Sequence, residues 1–294
     1  MNGIDLSAPS ESPTMPNPIS DPLVENLDTD VTSDLIRIEA TEAGAATVWI
    51  NRPARKNAFD SETIAALREA FETLHAQDGI RIVFVRGAGG AFSAGADLDW
   101  MREAAILTEA DNHADAMELA RMLKTLHDLN PLTVALVEGP AFGGGAGLVA
   151  ACDMAVATAD ARFAFSEVKL GLIPATISPY VVAAIGPRAA RALFATGRIF
   201  DASHAEKIGL VDEVVDDAAA LEHVQSLLAS GILTSAPGAA GDAKRLVMDV
   251  WALPIDHALM DDTARRIARA RVSDEGREGV DAFLNKRKPS WAGD

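Results

Sequence analysis

The stretch Val137-Glu138-Gly139-Pro140-Ala141-Phe142-Gly143-Gly144-Gly145-Ala146-Gly147-Leu148 is the most informative part of the chain. An apolar run (132–137) leads into it and small residues (148–151) follow it, so the pattern predicts a strand, a glycine-rich turn and a helix start. The first N–H groups of a helix are unpaired and carry the positive end of its dipole. Such a turn can hold an anion or stabilise an oxyanion that forms during a reaction. A turn used only for close packing of helix and strand would have the same sequence.

The composition is that of a chain with one large core. Of the 294 residues, 49% are hydrophobic, yet no apolar run approaches the ~20 residues that a membrane span needs. The formal net charge of -17 argues against a nucleic-acid partner, because phosphate binding needs clustered Lys and Arg. A single cysteine, Cys152, excludes an intramolecular disulfide and fits a reducing compartment. The histidines lack the spacing of metal ligands, so we expect no metal site.

The first 34 residues differ from the rest of the chain. They contain five prolines, seven acidic residues and no Lys or Arg, a composition that cannot bury enough apolar area to fold. We therefore predict a disordered, acidic, proline-rich tail over residues 1–34. The segment resembles neither a signal peptide nor a transit peptide, so a cytoplasmic location is the expectation.

Beyond the tail, strand patterns alternate with helix patterns. The runs Leu35–Glu39 and Ala45–Ile50 predict a β-hairpin, and Asp60 is a predicted helix cap. From about Leu221 the patterns are helical only. The sequence therefore predicts an α/β fold, with a core at 35–220 and a helical C-terminal region at 221–294.

A second loop has the same character as the glycine-rich turn. It runs through Gly90-Ala91-Phe92-Ser93-Ala94-Gly95-Ala96-Asp97-Leu98, and it also follows a predicted strand. Two such loops could each supply one backbone N–H group to an oxyanion hole. A carboxylate, Glu167, lies downstream in the segment Phe163 to Pro174.

These motifs, in this order and spacing, resemble the crotonase (enoyl-CoA hydratase/isomerase) superfamily over roughly residues 35–290. The matching segments are short and ordered along the chain: Asn51-Arg52-Pro53 with Asn57-Ala58, Phe92 to Asp97, Gly139 to Gly145, Cys152-Asp153, Glu167 to Pro174, Thr196-Gly197-Arg198 and Ala205 to Val211.

The resemblance implies a fold and a chemistry. The fold would be a spiral of ββα units, and the assembly a homotrimer or a homohexamer made of two trimers. The substrate would be an acyl-CoA thioester whose carbonyl oxygen rests between the N–H groups of Ala94 and Gly144. Glu167 would be the acid–base residue, and no cofactor other than the CoA of the substrate is implied.

One departure from the family pattern concerns the number of acids. Many hydratases of the family have two glutamates, and the position of the first is Gly147 here. With Glu167 alone, hydration requires that one carboxylate take a proton from water and return one to the α-carbon. A double-bond isomerase needs only one base, and a purely structural Glu167 bound by backbone N–H groups is a third alternative.

A narrower resemblance favours hydration. The segments Trp100-Met101-Arg102, Ile177 to Val182, Pro187 to Arg191 and Ser273 to Gly276 are similar to a bacterial branch that hydrates 3-methylglutaconyl-CoA or longer 3-branched glutaconyl-CoA in leucine and acyclic-terpene breakdown. In that interpretation, the missing side chain at Gly147 leaves room for the 3-substituent.

Contacts with CoA are also implied by the resemblance. The residues at the corresponding positions are Arg55, Lys56, Ala96, Asp97, Leu98, Gly147, Phe283 and Lys286. The last two belong to the C-terminal region, which in the family forms the trimer and covers CoA, sometimes across a subunit boundary. A non-catalytic or RNA-binding role is the alternative of a different class, and the acidic charge argues against it.

Overall fold

A computed structural model describes residues 34–292. The predicted disordered tail, residues 1–34, lies outside the described residues except for Asp34. Strands alternate with helices as far as residue 215, and only helices follow, as the patterns predict.

The strands are β1 Ile36–Ala40, β2 Ala45–Ile50, β3 Ile82–Gly87, β4 Leu132–Val137, β5 Pro140–Phe142, β6 Met154–Thr158, β7 Arg162–Ala164, β8 Phe200–Asp201 and β9 Glu213–Val215. The helices are α1 Ser61–Ala76, α2 Leu98–Ala104, α3 Glu109–His127, α4 Gly144–Ala151, α5 Ser178–Thr196, α6 Ala202–Ile208, α7 Ala218–Ile232, α8 Pro237–Val250, α9 His257–Val272 and α10 Asp274–Leu284. Short 3-10 turns form at Pro53–Arg55 and Glu167–Leu170.

Six strands form the main sheet in the order β1-β2-β3-β4-β6-β9. Strands β1 and β2 are antiparallel, which confirms the predicted hairpin, and every later neighbour is parallel. The Asp60 side chain accepts a hydrogen bond from the Thr63 N–H and caps α1, also as predicted. Because the strands run parallel, their carboxyl ends and the loops that follow lie at one edge of the sheet.

Both faces of this sheet are covered. Side chains alternate along β3, so Val83 and Val85 join the large core under α1 and α3, while Ile82 and Phe84 pack with Leu221 of α7 on the other face. Part of the predicted C-terminal region thus packs directly on the sheet. The division at residue 220 stays a prediction.

A second, three-stranded sheet has the order β5-β7-β8. Its strand β5 lies inside the glycine-rich stretch and pairs with β7 in parallel. Phe163 of β7 and Phe200 of β8 stack with ring centroids 5.7 Å apart. Strands β5 and β8 are absent from the sequence prediction, because two or three residues are too few to reveal a strand period. This small sheet holds the glycine-rich turn in place.

The C-terminal helices α8 to α10 expose apolar side chains. Ala282 is the one buried residue of these three helices, whereas Phe283 is 82% exposed and Leu284 71% exposed. Exposed apolar surface on this scale is typical of an interface with another chain.

Candidate active site

Glu167 begins the 3-10 turn that follows β7. It is half-buried, and its carboxylate lies beside the glycine-rich turn: Oε1 is 3.2 Å from the position that a Cβ on Gly143 would take. Its other oxygen, Oε2, is buried and has no hydrogen-bond partner among the described residues. Buried side-chain oxygens are normally bonded, so an acid in this state is a strong candidate for chemistry.

Burial also changes the acidity of this group. Desolvation raises the pKa of Glu167, and a hydrogen bond with its own backbone N–H only partly offsets the rise. A carboxyl held by several backbone N–H groups would have a lowered pKa instead. The interpretation of Glu167 as a purely structural residue therefore does not fit its surroundings.

The glycine-rich turn presents a free N–H group next to this carboxyl. Gly143, with φ +50°, has a conformation that other residues rarely adopt, and its N–H donates to the Ala164 carbonyl at 2.8 Å. Helix α4 then begins at Gly144, whose N–H has no acceptor among the described residues. The predicted oxyanion donor on this side is thus available.

The predicted donor on the other side is not available, and the assignment to Ala94 needs correction. The Ala94 N–H donates to the Lys56 carbonyl at 2.9 Å. Two residues on, the Ala96 N–H has no acceptor among the described residues, although the neighbouring Gly95 and Asp97 both bond to Phe59. Ala96 therefore has an unpaired N–H in this loop, although the sequence predicts it only as a CoA contact.

The two loops are joined directly by the main chain. The Ser93 N–H donates to the Pro140 carbonyl at 3.0 Å, and the Phe142 N–H donates back to Ser93 at 2.9 Å. A Cβ on Gly95 would lie 2.7 Å from the Phe142 oxygen, so only glycine permits this approach. These bonds bring the Ala96 loop against the strand that leads into Gly144.

Asn57 supports the same arrangement, a role that its short sequence motif does not reveal. It is fully buried and has φ +55°, a conformation that Asn tolerates better than most residues. Its Nδ2 donates to the carbonyls of Ala88 and Ala91, and its Oδ1 accepts from the Arg52 N–H at 2.8 Å. Asn57 is therefore a positioning residue for the Ala96 loop.

Asp97, predicted to contact CoA, is used within the chain instead. It is 4% exposed, caps α2 by accepting from the Asp99 N–H, and forms an ion pair with Arg52 at 3.3 Å. Burial alone would raise the pKa of Asp97, but these hydrogen bonds and the charges of Arg55 and Arg52 outweigh it and lower the pKa. Its carboxylate holds the loop that carries Ala96, and it is not free to bind a ligand.

The remaining predicted CoA contacts are at the surface. Leu98 is 65% exposed at the start of α2, and the Arg55 guanidinium pairs with Asp99 at 3.0 Å. Lys56 is exposed beside them. Phe283 and Lys286 are exposed at the end of the chain, on and just after α10. All five stay predictions as CoA contacts.

Gly147 does not border an empty space, which corrects its interpretation as room for a substituent. A Cβ there would lie 2.1 Å from Cγ2 and 2.6 Å from Cβ of Ile177. Ile177 is 3% exposed and belongs to the main core. The absent side chain of Gly147 is therefore replaced by Ile177.

Among residues 34–292, no three or more His, Cys, Asp or Glu side chains are grouped so as to hold a metal ion. In the same range, no helix combines the length and the apolar character needed to cross a membrane.

The site thus combines one partly buried carboxyl with two free N–H groups. An N–H pair can stabilise negative charge on a carbonyl oxygen, and a nearby carboxylate of raised pKa can move a proton at carbon or at water.

Known proteins are similar to this chain in sequence and in fold. The family model described as enoyl-CoA hydratase/isomerase matches residues 40–294.

Individual proteins match this chain over most of their own length. A Thermus thermophilus protein assigned as an enoyl-CoA hydratase is 34% identical over 86% of this chain and 100% of its own. The crystal structure of a Legionella pneumophila protein assigned as an enoyl-CoA hydratase/isomerase (crotonase) is 43% identical, with a TM-score of 0.83 over 87% of this chain and 98% of its own. The structure of Pseudomonas aeruginosa AtuE is 36% identical, with a TM-score of 0.85 over 88% of this chain and 100% of its own. The chain therefore belongs to the enoyl-CoA hydratase/isomerase family, as an enzyme of the enoyl-CoA hydratase type.

Proposed function

We propose that this enzyme adds water to the α,β double bond of a 3-branched enoyl-CoA thioester of the glutaconyl-CoA type. The observation that carries the proposal is the lone carboxyl of Glu167, unpartnered and partly buried beside the N–H groups of a glycine-rich turn. The branched substrate is supported more narrowly, by the motifs that resemble the 3-methylglutaconyl-CoA branch.

The proposed reaction proceeds through an enolate. The thioester oxygen accepts hydrogen bonds from the N–H groups of Ala96 and Gly144, which stabilise the charge that develops when the β-carbon is attacked. Glu167 removes a proton from the attacking water, and the water oxygen bonds to the β-carbon. The carboxyl then returns a proton to the α-carbon, so one water is added and Glu167 is regenerated. No cofactor beyond the CoA of the substrate is needed for these steps.

An isomerase is the second candidate, because the same lone carboxyl could move a proton from one carbon of the acyl chain to another. A panel of four thioesters separates the alternatives: crotonyl-CoA, 3-methylglutaconyl-CoA, a longer 3-branched glutaconyl-CoA and a 3-enoyl-CoA. We expect hydration of the branched glutaconyl thioesters with the highest kcat/KM. Turnover of the 3-enoyl thioester alone would establish the isomerase instead. Low-salt RNA binding without any turnover would favour the non-catalytic alternative.

The activity should depend on the ionisation of Glu167. Because burial raises its pKa, we expect kcat/KM to fall as the pH is lowered through a value above the ordinary ~4.3 of Glu. The measurement is kcat/KM against pH, with the far-UV circular dichroism recorded at each pH to confirm that the enzyme stays folded. An acid limb at or below the ordinary Glu value would contradict the assignment of Glu167 as the base.

We further propose a homotrimer or homohexamer, since α8 to α10 leave much apolar surface exposed in the single chain. Leu284 of α10 is 71% exposed, and Trp251, directly after α8, is 68% exposed. Light scattering should give a mass three or six times that of one chain. A monomer at assay concentrations would remove this part of the proposal and, with it, CoA contacts across subunits by Phe283 and Lys286.

A further inference from the structure

Two glycines at the start of the active-site helix α4, the cap Gly143 and Gly147, have side chains from the segment after β7 beside them. At Gly143, which caps the helix, the Glu167 carboxylate lies 3.2 Å from the Cβ position. At Gly147, four residues on, the Ile177 side chain occupies the Cβ position itself, with Cγ2 at 2.1 Å. The Gly147 N–H donates to the Gly143 carbonyl at 3.0 Å, so the two glycines are one helical turn apart. Ile177 therefore stands roughly one helical turn along α4 from the carboxyl of Glu167.

Ile177 and Glu167 also belong to the same connection between β7 and α5. Ile177 is the residue that immediately precedes α5, and its carbonyl accepts from the Val181 N–H at 3.1 Å. The segment between the two residues also carries Leu172 and Ile173, the latter 74% exposed. One connection thus supplies both the acid–base group and the branched apolar side chain that occupies the Cβ position of Gly147.

A substrate that places its double bond beside Glu167 must place its β-carbon close to this helix face. The Glu167 carboxyl lies beside Gly143, and a methyl group of Ile177 lies beside Gly147. Gly147 itself has no side chain to contact the substrate. A second carboxylate on residue 147 would occupy the space that Ile177 fills. The size of the substituent that the β-carbon can carry is then limited by the side chain of residue 177. It is not set by an open space at residue 147.

We propose that Ile177 is a specificity-determining residue, whose side chain forms the apolar wall against which the substituent on the substrate β-carbon packs. The inference rests on the proposed function, because it assumes an acyl-CoA bound with its β-carbon at Glu167. It extends that function by naming the residue that sets the largest 3-substituent the site accepts.

The test is the exchange Ile177→Ala, with saturated thioesters as ligands so that binding is measured without turnover. Calorimetry gives the Kd of butanoyl-CoA and of a long 3-branched acyl-CoA for the assembled wild type and variant. We expect the ratio of the two Kd values to shift at least about tenfold in favour of the branched ligand, a difference of roughly 1.4 kcal/mol. Hydration of crotonyl-CoA and 3-methylglutaconyl-CoA is measured in parallel.

Ile185→Ala is the matched control. Ile185 is buried in the same core, on α5, and loses the same atoms, so it should lower the melting temperature without moving the Kd ratio. A second pair of variants tests the contact between residues 147 and 177 through the melting temperature. Gly147→Ala alone should lower the melting temperature because of the clash with Ile177. The double variant with Ile177→Ala should regain part of that melting temperature. Its Kd ratio should also lie closer to the wild-type ratio than that of Ile177→Ala alone.

The outcomes are separable. An unchanged Kd ratio in Ile177→Ala, or an equal shift in Ile185→Ala, overturns the role of Ile177 whether or not the enzyme hydrates branched thioesters. A shifted Kd ratio in an enzyme that hydrates none of the thioesters upholds the role of Ile177 in binding and rejects the proposed reaction. Failure of Ile177→Ala to restore stability to Gly147→Ala would show that the two residues do not compete for one space.

Discussion

Turnover should fall by roughly 10²–10⁴ in Glu167→Gln, while thioester binding changes little. The substitution keeps the shape of the side chain and removes the only carboxyl that lies against Gly143 among the described residues. Single-turnover hydration and calorimetric Kd values measure the two effects separately. Near-normal turnover in the folded variant would rule out Glu167 as the acid–base residue.

The same variant should be no less stable than the wild type at neutral pH. Since the pKa of Glu167 is raised in the folded enzyme, its ionisation opposes folding, and this penalty develops as the pH rises from the pKa of the unfolded chain to the raised pKa, above which it is complete. Below the pKa of the unfolded chain the group is protonated in both states and the penalty is absent. The melting temperature of Glu167→Gln relative to wild type should therefore increase from acidic to neutral pH.

Glu138→Gln is a suitable control for both measurements. Glu138 is likewise partly buried and lies at the start of the glycine-rich stretch, but its carboxylate forms an ion pair with Arg86 at 2.6 Å. Removing that charge should lower stability and leave turnover close to wild type, the opposite of what we expect at Glu167. Equal losses of turnover in the two variants would mean that the activity reports on folding and not on the carboxyl of Glu167.

Replacing Gly144 by proline should lower kcat by roughly 10²–10³, the typical effect of losing one oxyanion donor. Gly144 is the first residue of α4, where proline is tolerated because the N–H it lacks has no partner within the helix. The only hydrogen bond removed is thus the one proposed to form with the thioester oxygen. KM should change less than kcat, because the charge on that oxygen develops during the reaction.

Gly144→Ala separates the lost N–H from the added carbon atoms. Both variants place a Cβ 3.1 Å from the ring of Phe59, so both must displace that ring slightly. Only the proline variant loses the donor. If the two variants have the same kcat and the same melting temperature, the Gly144 N–H is not an oxyanion donor.

The sequence predicts the local elements of this enzyme well, because their signals are local. The hairpin of β1 and β2 and the Asp60 cap depend on residues that are close together in the sequence. Helix α5 is divided within its length at Gly186 and Pro187. Gly186 has φ +73° and ψ 159°, which is not helical, so α5 consists of two helical pieces that meet at this residue.

The site is less predictable, because its details depend on contacts between distant segments. The choice between Ala94 and Ala96 as donor is decided by the Lys56 carbonyl, which occupies the first of the two N–H groups. The role of Gly147 is decided by Ile177, 30 positions along the chain by their numbers. Neither contact leaves a periodic or compositional signal, so the sequence identifies the loops and Glu167 but not which atoms are free.

The order of strands in the main sheet, β1-β2-β3-β4-β6-β9, follows their order along the chain. During synthesis each strand can therefore pair with one already outside the ribosome, without waiting for a distant C-terminal partner. The nascent sheet grows at one edge, which stays open until the next strand is translated. The second sheet does not grow in this way, because β7 and β8, which hold the glycine-rich turn, follow both donor loops in the chain. The oxyanion hole and Glu167 are therefore fixed in place together, only after β8 has been made.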